Sequence, residues 1–220
     1  MGLERFARFQ ELRRQGHDSR RIGFKVKTGE INIFANRMRL ARAFTGINLE
    51  GYSDKSIAGY NAFIQVVLTH SALECFMDVQ GLKYKNPKTG RESLQWDKLT
   101  DLMAPHEPHH VISLFNSKDK DGKFYTFLHS RLDSELLKKN LVSCREGNLP
   151  NISYISASIR HIFAHGHLTA NANGINPQCV STICQSTSDF LIKFMDDEFS
   201  KVIDAYCTKI DDATIIPQFR

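Results

Sequence analysis

The 220-residue chain predicts an all-α fold, a helical bundle of two long and several shorter helices behind a basic N-terminal extension. Three observations carry that expectation. Segments 53–80 and 177–209 keep apolar residues at helical spacing over many turns. The connections between periodic segments are short and punctuated by glycine and proline. Hydrophobic residues make up 41% and charged residues 24%, the balance of a globular chain long enough for one substantial core. The change of character falls near residue 50: residues 1–50 read as a basic helical extension packing on the bundle, and residues 51–220 as the bundle domain.

Taken in order, Leu3, Phe6, Phe9 and Leu12 with arginines between them predict a short amphipathic helix over 3–15, ended by Gly16. Gly23 and Gly29 bracket Phe24-Lys25-Val26-Lys27, a short strand or an extended strap. A second basic helix follows over 30–44, with Ile33, Met38 (or Arg37), Ala41 and Phe44 inward and Arg39 and Arg42 outward. Gly46 and Gly51 mark a break. Ser53-Asp54 then opens the first long helix, with Ile57, Tyr60, Ile64, Val67, Leu68, Phe76 and Val79 inward until Gly81 stops it near Gln80. His70 and Glu74 lie one turn apart on it, a spacing that favours a structural or surface pair over an acid–base couple.

Asn86-Pro87-Lys88-Thr89-Gly90 makes residues 82–93 a turn-rich basic insertion. Leu94 to Met103, with the single tryptophan Trp96, predicts a short helix closed by Pro105. His106, His109 and His110 follow in a proline-containing loop, without the cysteine or carboxylate partners that a zinc site needs. Asp119-Lys120-Asp121-Gly122 lacks the ligand spacing and acidic twelfth residue of a calcium loop, and reads as a turn. Phe124, Phe127, Leu128, Leu132, Leu136 and Leu141 predict a third bundle helix over 123–144. Finally Asn176-Pro177, a cap followed by proline at the first helical position, opens the longest helix. Its stripe runs through Ile183, Thr187, Phe190, Leu191, Phe194, Val202, Ile203 and Tyr206 to about Lys209.

Composition narrows the function classes. The chain shows no uninterrupted apolar run of membrane-spanning length and no charged-then-apolar N-terminal signal, which predicts a cytoplasmic protein with no membrane partner. Five scattered cysteines without a C-x-x-C pair read as reduced thiols. Charge is segregated: residues 1–42 hold eleven Lys/Arg against four Asp/Glu, an excess of seven, while the whole chain carries +5, so residues 43–220 sum to −2. That asymmetry fits a polyanionic partner, and equally a solvated basic surface. On the first reading Arg13, Arg14, Arg20, Arg21, Lys25 and Lys27 are the candidate RNA contacts.

The chemistry-bearing stretch is Ser158-Ile159-Arg160-His161-Ile162-Phe163-Ala164-His165-Gly166-His167. Ser153 is the expected cap of a helix over 153–165, and Gly166 its stop. At 100° per residue Ile152, Ile155, Ile159, Ile162 and Phe163 form a core stripe, and Ala157, Arg160, His161, Ala164 and His165 the outer face. Arg160 and His165 are separated by about 140° on a continuous helix. Two copies facing across the alanines, or a helix unwinding at Ala164, bring them together.

The spacing Arg160-His161-Ile162-Phe163-Ala164-His165 resembles the R-x4-6-H signature of HEPN domains, over a helical region from about 53 to 210. In the commonest version of that motif asparagine follows the arginine; here it is His161. The resemblance implies a HEPN-type helical bundle and a metal-independent RNA endonuclease acting as a homodimer with both motifs at the interface. It further implies a toxin or phage-defence effector, with a cognate antitoxin protein as a further partner. Arg160, His165 and His161 are then the catalytic candidates, with His167 an auxiliary RNA contact, and no cofactor or metal is expected. The chemistry is consistent: histidine titrates near neutrality and moves protons, and arginine forks onto phosphate oxygens. Two alternatives stand beside it. One is a non-catalytic helical module that binds RNA or a protein partner; the other, a metal hydrolase on His161, His165 and His167, lacks a nearby carboxylate in the sequence. Structurally, the same cations also suit the C-terminal end of a helix dipole.

Overall fold

The computed structural model describes residues 2–85, 92–148, 150–166 and 174–215. It is an all-α bundle with one short hairpin. The N-terminal part holds α1 (Phe6–Arg14), α2 (Ser19–Ile22) and α3 (Thr28–Ala43). The long α4 (Asp54–Val79) is followed by antiparallel β1 (Lys83–Lys85) and β2 (Glu92–Leu94). Then come α5 (Trp96–Met103), a 3-10 turn at Ala104–His106, α6 (His109–Lys118), α7 (Lys123–Arg131) and α8 (Glu135–Arg145). The chain ends with α9 (Ser153–Ala164) and α10 (Pro177–Ile215).

α4 and α10 form the spine, with α3 and α9 against α4 and α6 against α10. A line of aromatic rings joins the N-terminal part to this spine. Phe9 meets Phe24 edge-on, Phe24 stacks on Phe199 at 5.0 Å, and Phe34 leans on both Phe199 and Phe76. Phe9, Phe24, Phe34, Phe76 and Phe199 are all buried, so this part shares the bundle's core. A partly buried ion pair fastens the start of the chain: Arg42 donates to Asp196 and to the Gly2 carbonyl, both at 2.5 Å, and the Glu4 amide donates to the other Asp196 oxygen at 2.9 Å. Arg42 therefore points inward, against the outward placement expected from sequence.

Several elements differ from expectation. Residues 24–27, expected as a short strand or an extended strap, form a strap bent at Lys25 and Val26 and tied by the Lys25 amide to the Val79 carbonyl. The helix expected over 123–144 is two, because the chain turns at Leu132 and Ser134 starts a new helix by accepting the Leu137 amide. Leu132 is buried at that corner, while Leu136 is 61% exposed on the new helix. α6 begins at His109, inside the expected histidine loop, and buries Val111, Ile112 and Phe115. The insertion after α4 pairs its two flanks as the hairpin, and the turn at Asn86–Gly90 lies outside the described residues.

α3 buries Met38 and Ala41 as expected, but buries Ile31, Phe34 and Ala35 with them and leaves Ile33 54% exposed, so its inward face is offset over the first turns. α4 shows the same kind of offset. Ala62, Phe63, Val66, Thr69, His70, Leu73, Phe76 and Met77 face the core, and the expected stripe of Ile57, Tyr60, Ile64, Val67 and Leu68 is only half-buried. Among the described residues α4 alone is long and apolar enough to cross a membrane. Asn61, Gln65, His70 and Glu74 interrupt its apolar run, and here it is the central helix of the bundle.

Candidate functional site

α9 is a helix for reasons local to its sequence. Asn151, not Ser153, caps it: the Asn151 carboxamide oxygen accepts the Ser153 amide at 3.0 Å, while its nitrogen donates to Thr100 at 2.8 Å and joins the cap to α5. Ser156 and Ser158 return their hydroxyls to the Ser153 and Tyr154 carbonyls, which lets both be buried without unmet donors. Ile152, Ile155, Ile159 and Ile162 are fully buried, as the core stripe predicts, and Phe163 is half-buried against Phe63. At the far end Gly166 adopts φ +71°, a left-handed stop that a residue with a Cβ enters at a steric cost.

The outer face carries the motif. Arg160 is exposed and lies along α4, with Nη2 3.7 Å from the Glu74 carboxylate. With both side chains close to half-exposed, that pair contributes at most about 1 kcal/mol, so an incoming anion displaces the carboxylate at little cost. His161 and His165, one turn apart, lie with ring centroids 4.5 Å apart and planes tilted by 57°. The Nε2 of His161 is also 3.6 Å from Asp133, the exposed residue at the α7–α8 corner. Arg160 and the histidine pair thus diverge around the helix, as their spacing requires, and no direct Arg160–His165 contact occurs among the described residues. His167 lies outside the described residues.

Beneath Arg160 is His70, buried on α4. Its Nδ1–H donates to the Ser156 hydroxyl oxygen at 2.8 Å, because that hydroxyl's own proton goes to the Ser153 carbonyl. Burial pushes the imidazole down to about 4, with the Arg160 charge adding to the effect. His70 is therefore neutral at physiological pH. The expected His70–Glu74 pair does not form: His70 turns inward to α9 and Glu74 turns outward to Arg160. The i,i+4 spacing in α4 was the only sequence signal for either residue, and it did not reveal that α9 separates their roles.

The basic N-terminal candidates are not equivalent. Arg13 donates to the His17 carbonyl at 2.6 Å and lies 3.7 Å from Asp18, so its guanidinium is committed locally. Arg14, Arg20, Arg21, Lys25 and Lys27 are exposed. Lys25 reaches the end of α4, where its amide bonds to Val79 and its side chain covers Gly81. Arg37, also exposed, acts electrostatically on the Cys75 thiol together with Lys83, although burial is the larger influence and raises that thiol. Cys75 adjoins Glu74, so cations of α3, the strap and β1 approach the same end of α4 as Arg160. Among the described residues no three His, Cys, Asp or Glu side chains are grouped to hold a metal ion. No protein-family model matches the chain, and no curated protein or solved structure resembles it at a significant level.

Proposed function

We propose that the protein is a metal-independent RNA endonuclease of the HEPN type, working as a homodimer in the cytoplasm. The observation that carries this reading is the outer face of α9, which presents a displaceable arginine and two adjoining histidines at one helix end over a buried, neutral polar support. Arg160 leaves Glu74 for a phosphate oxygen and neutralises the charge that grows on the phosphorus. His165 transfers a proton, either from the 2′-hydroxyl that attacks or to the leaving 5′-oxygen. His161, its ring against that of His165, holds it in place and adds a second contact to phosphate. The products are a 2′,3′-cyclic phosphate and a free 5′-hydroxyl.

Support for the dimer comes from α4. At 100° per residue Tyr60, Ile64, Val67, Ser71 and Glu74 fall within about 80° of arc, and all are half-buried. A helix apolar on every side is normally covered on every side. Here the half-covered stripe ends at Glu74, against Arg160, so a second copy laid on it brings two motifs close together. The small Ala157 and Ala164 on α9, half-buried and exposed respectively, would allow close approach. A toxin or phage-defence role with an antitoxin partner follows from the same reading.

The test is cleavage of a mixed RNA pool with a chelator present, wild type beside Arg160→Ala. The expected result is chelator-resistant cutting by the wild type alone, with cyclic phosphate ends. RNA retention without cutting favours a binding module, and cutting abolished by the chelator favours a metal hydrolase.

A further inference from the structure

A wide concavity lies in a different place, between the Pro105–His110 corner, α6 and the first half of α10. It encloses about 950 Å³, the upper end of the range for small-molecule pockets, and no α9 residue lines it. Its floor is Phe190 and Phe194, stacked nearly parallel with centroids 6.3 Å apart. In a chain of net charge +5 this groove is locally acidic. Glu107, Asp189 and Asp197 line it against a single lysine, Lys193, whose ammonium is already 2.5 Å from Asp197.

The charged groups facing the groove are mostly acceptors. Thr182 donates its hydroxyl to the Gln178 carbonyl at 2.8 Å, and the Gln185 amide nitrogen donates to one Asp189 oxygen at 2.8 Å. His110 Nδ1 lies 2.7 Å from the Glu107 carbonyl. That carbonyl only accepts, so Nδ1 carries the proton and Nε2 offers a lone pair. What remains open on the charged groups is the Glu107 carboxylate and the second Asp189 oxygen, with His110 Nε2 as a further acceptor beside the neutral side chains of Gln178, Ser181, Gln185 and Ser186. A phosphate or carboxylate ligand meets repulsion here, whereas a donor-rich cation meets acceptors above an aromatic floor that favours methylenes and positive charge. Asp189 and Asp197 are eight residues apart on one helix, about 12 Å, which suits charges spaced along a flexible chain.

We propose that the α6–α10 groove is a binding site for a linear aliphatic polyamine, independent of the nuclease reading. Its ammonium groups bond to Glu107, Asp189 and Asp197, the last after Lys193 swings away, and its methylenes lie on Phe190 and Phe194. Lysine side chains of a protein partner offer the same chemistry from another source, so the experiment separates the two. Isothermal titration calorimetry of the full chain is run with spermidine, with hexamminecobalt(III) as a compact ion of equal charge, and with a tetralysine peptide. The expected result is saturable spermidine binding, one molecule per chain, weakened about tenfold in the Glu107→Gln/Asp189→Asn double variant. Both replaced residues are exposed, so the variant's melting temperature should match the wild type. Equal binding of hexamminecobalt(III) would reduce the groove to diffuse counterion attraction. Binding of tetralysine without spermidine would make it a protein-docking surface, and an unaltered affinity in the double variant would place the cation elsewhere; each overturns the proposal.

Discussion

Arg160 has little to lose by exchanging Glu74 for a phosphate. An exposed pair contributes up to about 1 kcal/mol, while a charge-assisted bond to phosphate contributes about 1.5–3 kcal/mol. Replacing Arg160 by alanine should therefore leave folding within about 1 kcal/mol and lower cleavage roughly 10²–10³-fold. His165→Ala should lower it roughly 10²–10⁴-fold, with His161→Ala milder and His167→Ala milder still. Single-turnover rates beside thermal melts check this; early melting of both Arg160→Ala and His165→Ala would make the motif structural. His70 yields a different expectation. Its folded value of about 4 lies below the ordinary 6.5, so the unfolded chain binds a proton that the folded chain refuses. This contribution is fully present above pH 6.5, is lost as pH falls from about 6.5 to about 4, and changes no further below. The loss is on the order of 3 kcal/mol. Melting curves at pH 7 and pH 4.5 should show a steep drop for the wild type and a shallower one for His70→Gln. Parallel drops would mean that burial, with the Arg160 charge beside it, does not hold His70 neutral. None of this was legible from sequence, because the partners of His70 and Glu74 come from a helix more than eighty residues away.

At the scale of the element, legibility followed how one-sided each helix is. α9 has a single apolar stripe, and its buried isoleucines and outer face were readable from spacing alone, whereas the burial of Ser153, Tyr154, Ser156 and Ser158 was not. Its start and stop were readable to within a residue, although the cap passed from Ser153 to Asn151. α3 and α4 carry apolar residues on more than one side, so periodicity admits more than one inward face and only packing against α9 and α10 selects between them. The α7–α8 break hid because Leu132 and Leu136 continue the periodicity across Ser134, and α6 hid because its stripe of Val111, Ile112 and Phe115 is short. The misread face of α4 is also the informative one. If its half-covered stripe carries the dimer, Ile64→Arg should convert the protein to a monomer at micromolar concentration and abolish cleavage while the monomer keeps its fold. Ala164→Arg, beside the motif, should weaken dimerisation as well. Sedimentation velocity with circular dichroism decides it, and a wild-type monomer, or a dimer indifferent to Ile64→Arg, would sink the interface.

Across the whole molecule, the charge asymmetry visible in the sequence proves to be anchored in the fold. The N-terminal part is basic outside and aromatic inside. Phe9, Leu12 and Phe24 belong to the core, and Gly2 and Glu4 are fastened to Arg42 and Asp196. Removing residues 1–27 would therefore take out part of the core, and the contribution of its charges to RNA binding has to be tested by substitution. Arg14, Arg20, Arg21, Lys25 and Lys27 are exposed and suit that test; Arg13, held by His17 and Asp18, contributes less. If all five contact phosphate, RNA affinity should fall with salt, and changing them together to glutamine should flatten the log–log slope by up to roughly 3.5, at about 0.7 per phosphate on a single strand. The quintuple variant should keep the wild-type melting temperature and the same cleavage rate at saturating RNA, because Arg160 and His165 are untouched. Affinity measured at several salt concentrations separates the cases. An unchanged slope would assign the basic surface to solvation, and a changed slope with an equal loss of saturated rate would mean that these cations help to seat the scissile phosphate at α9.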